Sequence, residues 1–204
     1  MGMDSLIEFF TSIPIWVTMA PIIACSIISL GVIIERFVFY RKINLDYRLI
    51  MENVASSVKK NNFKNAHAAL EGYEGPIITV IREIVDDFKA KHDRQISILS
   101  LSRQAIASVE RYVAVIATIA TISPMLGFLG TVTGMLKGFT ALYRMSAGVK
   151  ATTLLAHGVA ETLITTVLGL IVAIPSWSFY NFMVAKVEHY VKEIEYISNI
   201  FMKI

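Results

Sequence analysis

The chain has 204 residues, of which 55% are hydrophobic and only 17% charged. Soluble domains carry about a quarter charged residues, so this shortfall excludes disorder, a secreted disulfide scaffold and most soluble enzymes; a lone Cys25 also has no partner for an intrachain bridge. The net charge of +3 is too small to argue for nucleic acid, but its distribution is telling: between Glu110 and Glu188 the only acidic residue is Glu161.

Three uncharged runs are long enough to cross a bilayer, which takes about 20 apolar residues as helix. They extend from Phe9 to Ile34, from Tyr112 to Leu136 and from Thr162 to Ala185. Helix is expected for each, because an open strand in lipid leaves backbone groups unsatisfied. Met1 to Ile15 holds no Lys or Arg, so the basic region of a signal peptide is not expected there. Leu6 likewise breaks a myristoylation pattern. Twelve Lys/Arg lie between Arg41 and Arg111, three follow the third run and none precedes the first. The positive-inside bias therefore places this segment and the C-terminal tail in the cytoplasm and the N-terminus outside. Trp16 and Tyr143 fall at the outer interface, and Tyr40, Tyr112, Trp177 and Tyr180 at the inner one.

The cytoplasmic segment reads as helices. Asn62 to Leu70 is a short amphipathic piece ended by Glu71-Gly72-Tyr73-Glu74-Gly75-Pro76. From Ile77 no Pro or Gly follows until Pro124, and Leu99, Ile106, Val109 and Val113 recur at helical spacing. A long cytoplasmic helix is thus expected to lead into the second span. In the tail, Val187, Tyr190, Ile194, Ile197, Phe201 and Ile204 alternate steps of three and four, a heptad seam. Two readings stand: the seam packs on that long helix, or it docks a regulator.

Signatures of nucleotide loops, nucleophile elbows and zinc proteases are missing. Gly127, Gly130, Gly134 and Gly138 instead lie in an apolar span, the last three repeating every fourth residue. That spacing lets helix backbones approach closely and implies tight helix association. Glu161 is the informative residue. A charge at the centre of a membrane helix costs on the order of 2.5–3.5 kcal/mol, and such groups normally face a bundle interior or water. An interfacial Glu161 that snorkels outward is the alternative. Thr165 shares its face one turn on, whereas Thr166 is rotated away. Thr131, after Gly130, adds a hydroxyl on the second span. His157 and Glu161 stand one turn apart, but two ligands are too few for a metal site, and none is expected. Pro124 and Pro175 free the carbonyls of Ala120 and Ile171, as kinks or as hinges.

Ser123-Pro124-Met125-Leu126-Gly127-Phe128-Leu129-Gly130-Thr131-Val132-Thr133-Gly134-Met135 resembles the second-span motif of the ExbB/TolQ proteins, relatives of the flagellar stator protein MotA. The stretch from Gly158 through Glu161, Thr162, Thr165, Thr166 and Gly169 to Pro175 resembles their third-span motif, and Glu35-Arg36 is similar to the end of their first span. Three spans favour the ExbB/TolQ branch over the usually four-span MotA type. The resemblance implies no enzyme and no cofactor, but the stator and channel subunit of a motor driven by the proton or sodium gradient. It further implies a homopentamer around an ExbD/TolR-like single-span partner bearing a membrane Asp, a TonB- or TolA-like protein beyond it, and a bacterial inner-membrane location. By motif position it assigns the ion path to Glu161, Thr131 and Thr166; Thr165 is retained beside them because it shares the face of Glu161. Gly127, Gly130, Gly134, Gly138 and Gly169 are assigned to helix packing, and Lys137 matches no role. Two other classes stay open: a small proton-coupled solute transporter using Glu161, and a structural membrane scaffold.

The expected fold is an all-α membrane protein with three transmembrane helices, two of them extending into a cytoplasmic helical bundle. Its expected order is a periplasmic N-terminus (1–12), a first span (13–40), a cytoplasmic helical segment (41–111), a second span (112–143), a short periplasmic loop (144–154), a third span (155–180) and a cytoplasmic C-terminal helix (181–204).

Overall fold

The computed structural model describes residues 12, 14–43, 47–90, 94–144 and 149–203. Nearly all of the expected N-terminal stretch, residues 145–148 of the expected loop and Ile204 of the seam lie outside the described residues. The described elements are helical: α1 (Ile15–Lys42), α2 (Tyr47–Lys59), α3 (Phe63–Ala68), α4 (Pro76–Ala90), α5 (Arg94–Glu110), α6 (Val113–Arg144) and α7 (Val149–Met202). By length and composition, three helical stretches suffice to cross a membrane: Trp16–Lys42, Ile98–Tyr143 and Leu155–Met202. The fold is that of an all-α membrane protein.

The chain divides into two units, with α1 and α7 each contributing to both. One comprises the residues up to Ile34 together with Ala114–Asn181. Its outer surface is apolar: Ile27, Leu30, Phe128, Leu163, Ile171 and Ile174 are all exposed. Its interior holds small and hydroxyl side chains, with Thr18, Ser29, Ser123, Thr133, Thr162, Thr165 and Ser176 buried. This inverts the soluble pattern, as lipid supplies no hydrophobic drive to bury large side chains. Ser29 of α1 meets Ser176 of α7 through their hydroxyls at 2.6 Å, and Ser176 also donates to Val172 O at 2.7 Å. Pro21, Pro124 and Pro175 each lie inside a helix that continues through them.

The other unit, Glu35–Val113 with Phe182–Ile204, has a conventional apolar core. Met51, Val54, Leu70, Ile77, Ile81, Ile84 and Val85 from α2, the segment after α3 and α4 are buried in it. Asn62 caps the short α3 by accepting the Asn65 N–H at 3.2 Å. In the tail of α7, Tyr190, Ile194, Ile197 and Phe201 are buried. Phe201 meets Phe88 of α4, and Ser198 meets Ser102 of α5 at 2.7 Å. Tyr190 stacks on Tyr40 and donates to Ile43 O at 3.2 Å, the carbonyl that Tyr47 also reaches at 2.7 Å. Burial raises both hydroxyls, that of Tyr190 to about 12, so each remains a protonated donor at neutral pH.

The helix expected to lead into the second span is α5, which α6 continues after a two-residue turn within the apolar stretch Ile98–Tyr143. The helical pattern from Ile77 is divided, however: α4 is a separate helix, and α5 packs on it. The buried stripe of α5 is Ile98, Ser102, Ala105 and Val109, with Leu99 exposed. Between α5 and α6, Arg111 and Tyr112 form a turn, with Tyr112 in the left-handed region at φ 68°. No Gly or Pro marks this break; side chains from α1 hold it. Arg36, buried, donates from Nη1 to Ser108 O at 3.1 Å, and Tyr40 donates to Val109 O at 2.9 Å. Two carbonyls left open at the end of α5 are thereby satisfied. The same guanidinium grips the Glu35 carboxylate at 2.8 and 3.2 Å and lies 4.5 and 5.0 Å from the rings of Phe39 and Tyr112. Tyr40→Phe is expected to cost about 1 kcal/mol for a neutral hydrogen bond, and Arg36→Met on the order of 1.5–3 kcal/mol for a charged one. Thermal unfolding in detergent should rank them so; equal, negligible shifts would show that the break is held otherwise.

Candidate functional site

The site is built on the contact between α6 and α7, which cross as antiparallel neighbours. Gly169 lies opposite Gly127: a β-carbon on Gly169 would stand 2.6 Å from Ser123 O and 3.2 Å from Gly127 Cα. One on Gly127 would stand 3.1 Å from both Thr165 O and Thr166 Cα. Further along, Gly130 abuts Thr165, Gly134 abuts Thr162 Cγ2, and Gly138 faces Gly158 and Leu155. The five glycines singled out from the sequence thus form one continuous seam within the chain.

The hydroxyls divide into two groups. Thr165, fully buried against Gly130, donates to Thr162 O at 2.7 Å on its own helix. Thr166 instead donates across the seam to Gly127 O at 3.2 Å. Thr131 is half-buried and donates to Phe128 O at 2.6 Å.

Glu161 precedes Thr162 and is half-buried at the edge of the seam. It lines a cavity of about 110 Å³ with Pro14, Thr18, Gly130, Thr133, Gly134 and Lys137. Sequence reasoning had not placed Thr18, Thr133 and Lys137 there. A signal existed: Gly130, Thr133, Gly134 and Lys137 are spaced i, i+3, i+4 and i+7, one face of a helix. Thr131, one residue from Gly130, falls outside this lining, as do Thr165 and Thr166. The structure therefore brings Glu161 together with Thr133, Thr18 and Lys137, and puts Thr165 and Thr166 in the adjoining seam.

Three apolar helical stretches, a glycine–threonine seam and a carboxylate at a small polar cavity beside it define a multi-span membrane protein with an ionisable group at its helix seam. Residues 73–196 match the family described as the MotA/TolQ/ExbB proton channel family, and the chain belongs to it. It is similar to ExbB-like 3 of Synechocystis sp., 25% identical over 162 residues that cover 79% of this chain and 77% of that protein. It is also similar to the Tol-Pal system protein TolQ of Haemophilus influenzae, 44% identical over 85 residues, 41% of this chain and 35% of TolQ. With the biopolymer transport protein ExbB of Aquifex aeolicus it is 47% identical over 73 residues, 36% of this chain and 48% of that protein.

Proposed function

We propose that this chain is the stator and channel subunit of an inner-membrane motor that couples the proton or sodium gradient to a TonB-dependent or Tol-type process. It makes and breaks no covalent bond. The observation that carries the reading is Glu161, the one acidic side chain between Glu110 and Glu188, at a polar cavity inside an apolar helix seam. Membership of a proton channel family supports it. An electrochemical gradient supplies about 2.3 kcal/mol per charge per 100 mV, and a carboxylate in the membrane is the group that can take a charge up and release it.

In this reading the working unit is a homopentamer around an ExbD/TolR-like single-span partner with a membrane Asp, and a TonB- or TolA-like protein receives the motion. The N-terminus is periplasmic, the segment 41–111 and the tail are cytoplasmic, and α5 and the tail of α7 belong to a cytoplasmic bundle. Glu161 is the ion-path carboxylate; Thr131, Thr165 and Thr166 supply hydroxyls, and Pro124 and Pro175 are the hinge positions of α6 and α7.

The test is co-expression with a single-span partner, purification and reconstitution in liposomes. A complex that carries ions down a gradient is the expected result; one that forms and is inert would sink the proposal. Thr131→Val and Thr166→Val keep shape and remove a hydroxyl, so each is expected to lower ion flux several-fold with native mass unchanged. Full flux in both would make these threonines ordinary packing residues.

A further inference from the structure

In the unit that contains Glu35–Val113, the end of α1 and the turn before α4 border an open cleft of about 640 Å³. Its lining includes Phe39, Lys42, Tyr73, Glu74 and Arg82. The turn is seated on α1: a β-carbon on Gly75, whose φ is 144°, would stand 3.3 Å from Ile43 Cγ2. Lys42, Glu74 and Arg82 are exposed, and among the described residues none of the three has an ion pair or a side-chain hydrogen bond. Two cations against one carboxylate leave the lining one positive charge in excess. Arg41, the neighbour of Lys42, lies outside it, with its guanidinium 4.8 Å from the Phe37 ring.

The level of the cleft along α1 points to its ligand. The apolar stretch begins at Trp16, and about 20 residues of helix cross the hydrocarbon. At a rise of 1.5 Å per residue, Lys42 stands about 10 Å beyond that length, where a long basic side chain reaches the headgroups. Phe39 and Tyr73 are the aromatic residues that such a level favours.

We infer that this cleft binds the headgroup of an anionic phospholipid, one lipid per chain, with Lys42 and Arg82 holding the phosphate. Their ammonium and guanidinium donors match phosphate oxygens. The single negative charge of a phosphodiester balances the excess in the lining, whereas a nucleoside di- or triphosphate would overfill it and meet Glu74. That carboxylate accepts hydrogen bonds only, so it suits the free hydroxyls of a glycerol headgroup, and phosphatidylglycerol is the best match. The acyl chains run along α1, where Phe37 and Val38 are exposed and apolar, which a free phosphate would leave unused. The inference rests on α1 as a membrane span and not on ion flux.

The experiment titrates phosphatidylglycerol, phosphatidylcholine, glycerol phosphate and inorganic phosphate into the full-length protein in neutral detergent, where no charged bilayer surface contributes. Native mass spectrometry counts bound lipid, and thermal unfolding reads its effect. One phosphatidylglycerol per chain is expected, raising the unfolding midpoint by several degrees, with no shift from phosphatidylcholine at the same concentration. Lys42→Gln/Arg82→Gln should weaken binding on the order of tenfold or more, while Lys42→Arg/Arg82→Lys keeps most of it. Arg41→Gln removes an equal charge next to the cleft and should stay within about twofold. An equal loss in Arg41→Gln overturns the site in favour of diffuse attraction, and equal binding of phosphatidylcholine overturns the role of charge. A full shift from glycerol phosphate or inorganic phosphate makes the ligand a soluble anion and overturns the lipid. Both basic residues are exposed, so the variants should fold; where the double variant does not, each single one must lose about threefold or more, and losses no greater than that of Arg41→Gln overturn the site.

Discussion

Glu161→Gln is expected to stop ion-driven work while leaving the assembled complex at its native mass. Glutamine is nearly isosteric and keeps hydrogen bonding, but it cannot take up or release a proton at any accessible pH. Loss of a proton-transfer group of this kind lowers rate by about 10²-fold or more. The seam does not depend on this side chain: Glu161 is half-buried at its edge, and the close contacts are made by Gly127, Gly130, Gly134, Thr162, Thr165 and Gly169. Proton flux in reconstituted liposomes and native mass spectrometry of the same preparation separate the two outcomes. Glu161→Asp keeps a titratable group one methylene shorter and is expected to retain part of the flux. Wild-type flux in Glu161→Gln would return the residue to an interfacial role.

The largest effect on folding is expected at Gly169. A β-carbon there would collide with the backbone of α6, at Ser123 O and Gly127 Cα, and backbone cannot rotate out of the way. Even Gly169→Ala overpacks the crossing, by about 1–3 kcal/mol, and Gly169→Leu should leave no folded protein to purify. Gly134→Ala is expected to be milder, since the obstacle is the Thr162 methyl, although a β-branched side chain yields little at χ1. Gly31→Ala in α1 is the control: nothing lies within 4 Å of its β-carbon. Helix propensity alone should make it neutral or stabilising by about 0.5–1 kcal/mol. Yield after membrane extraction and thermal unfolding should give the order Gly169 worst, Gly134 intermediate, Gly31 unharmed. Equal tolerance at Gly169 and Gly31 would mean that the α6–α7 crossing is not as close as described.

The three apolar helices were legible because hydrophobic run length is a local property. The glycine stripe was legible for the same reason, as fourfold spacing is visible in one helix alone. What a glycine packs against is not local, so only the structure reveals that the seam closes between α6 and α7 of one chain. Helical spacing orders Thr165 and Thr166 only relative to Glu161 on their own helix, whereas their environments depend on Gly130 and Gly127 of the facing helix. The break at Tyr112 was hidden because its determinants, Arg36 and Tyr40, lie far away in sequence. Lys137 stands out in the sequence as a charge that matches no family role, and its spacing from Gly130 is that of one helical face; that it lines a cavity with Glu161 depends on the facing helix.

The seam also bears on biogenesis. Its cohesion comes from backbone approaching backbone, and most of its hydroxyls are already occupied by carbonyls of their own helices, as at Thr133, Thr162 and Thr165. Such contacts need neither water to expel nor a second subunit to complete them. The pair can therefore close as soon as both apolar segments have left the translocon. A newly made chain then carries its tightest joint from the outset, and in the assembly proposed above the docking units would be finished hairpins rather than loose helices.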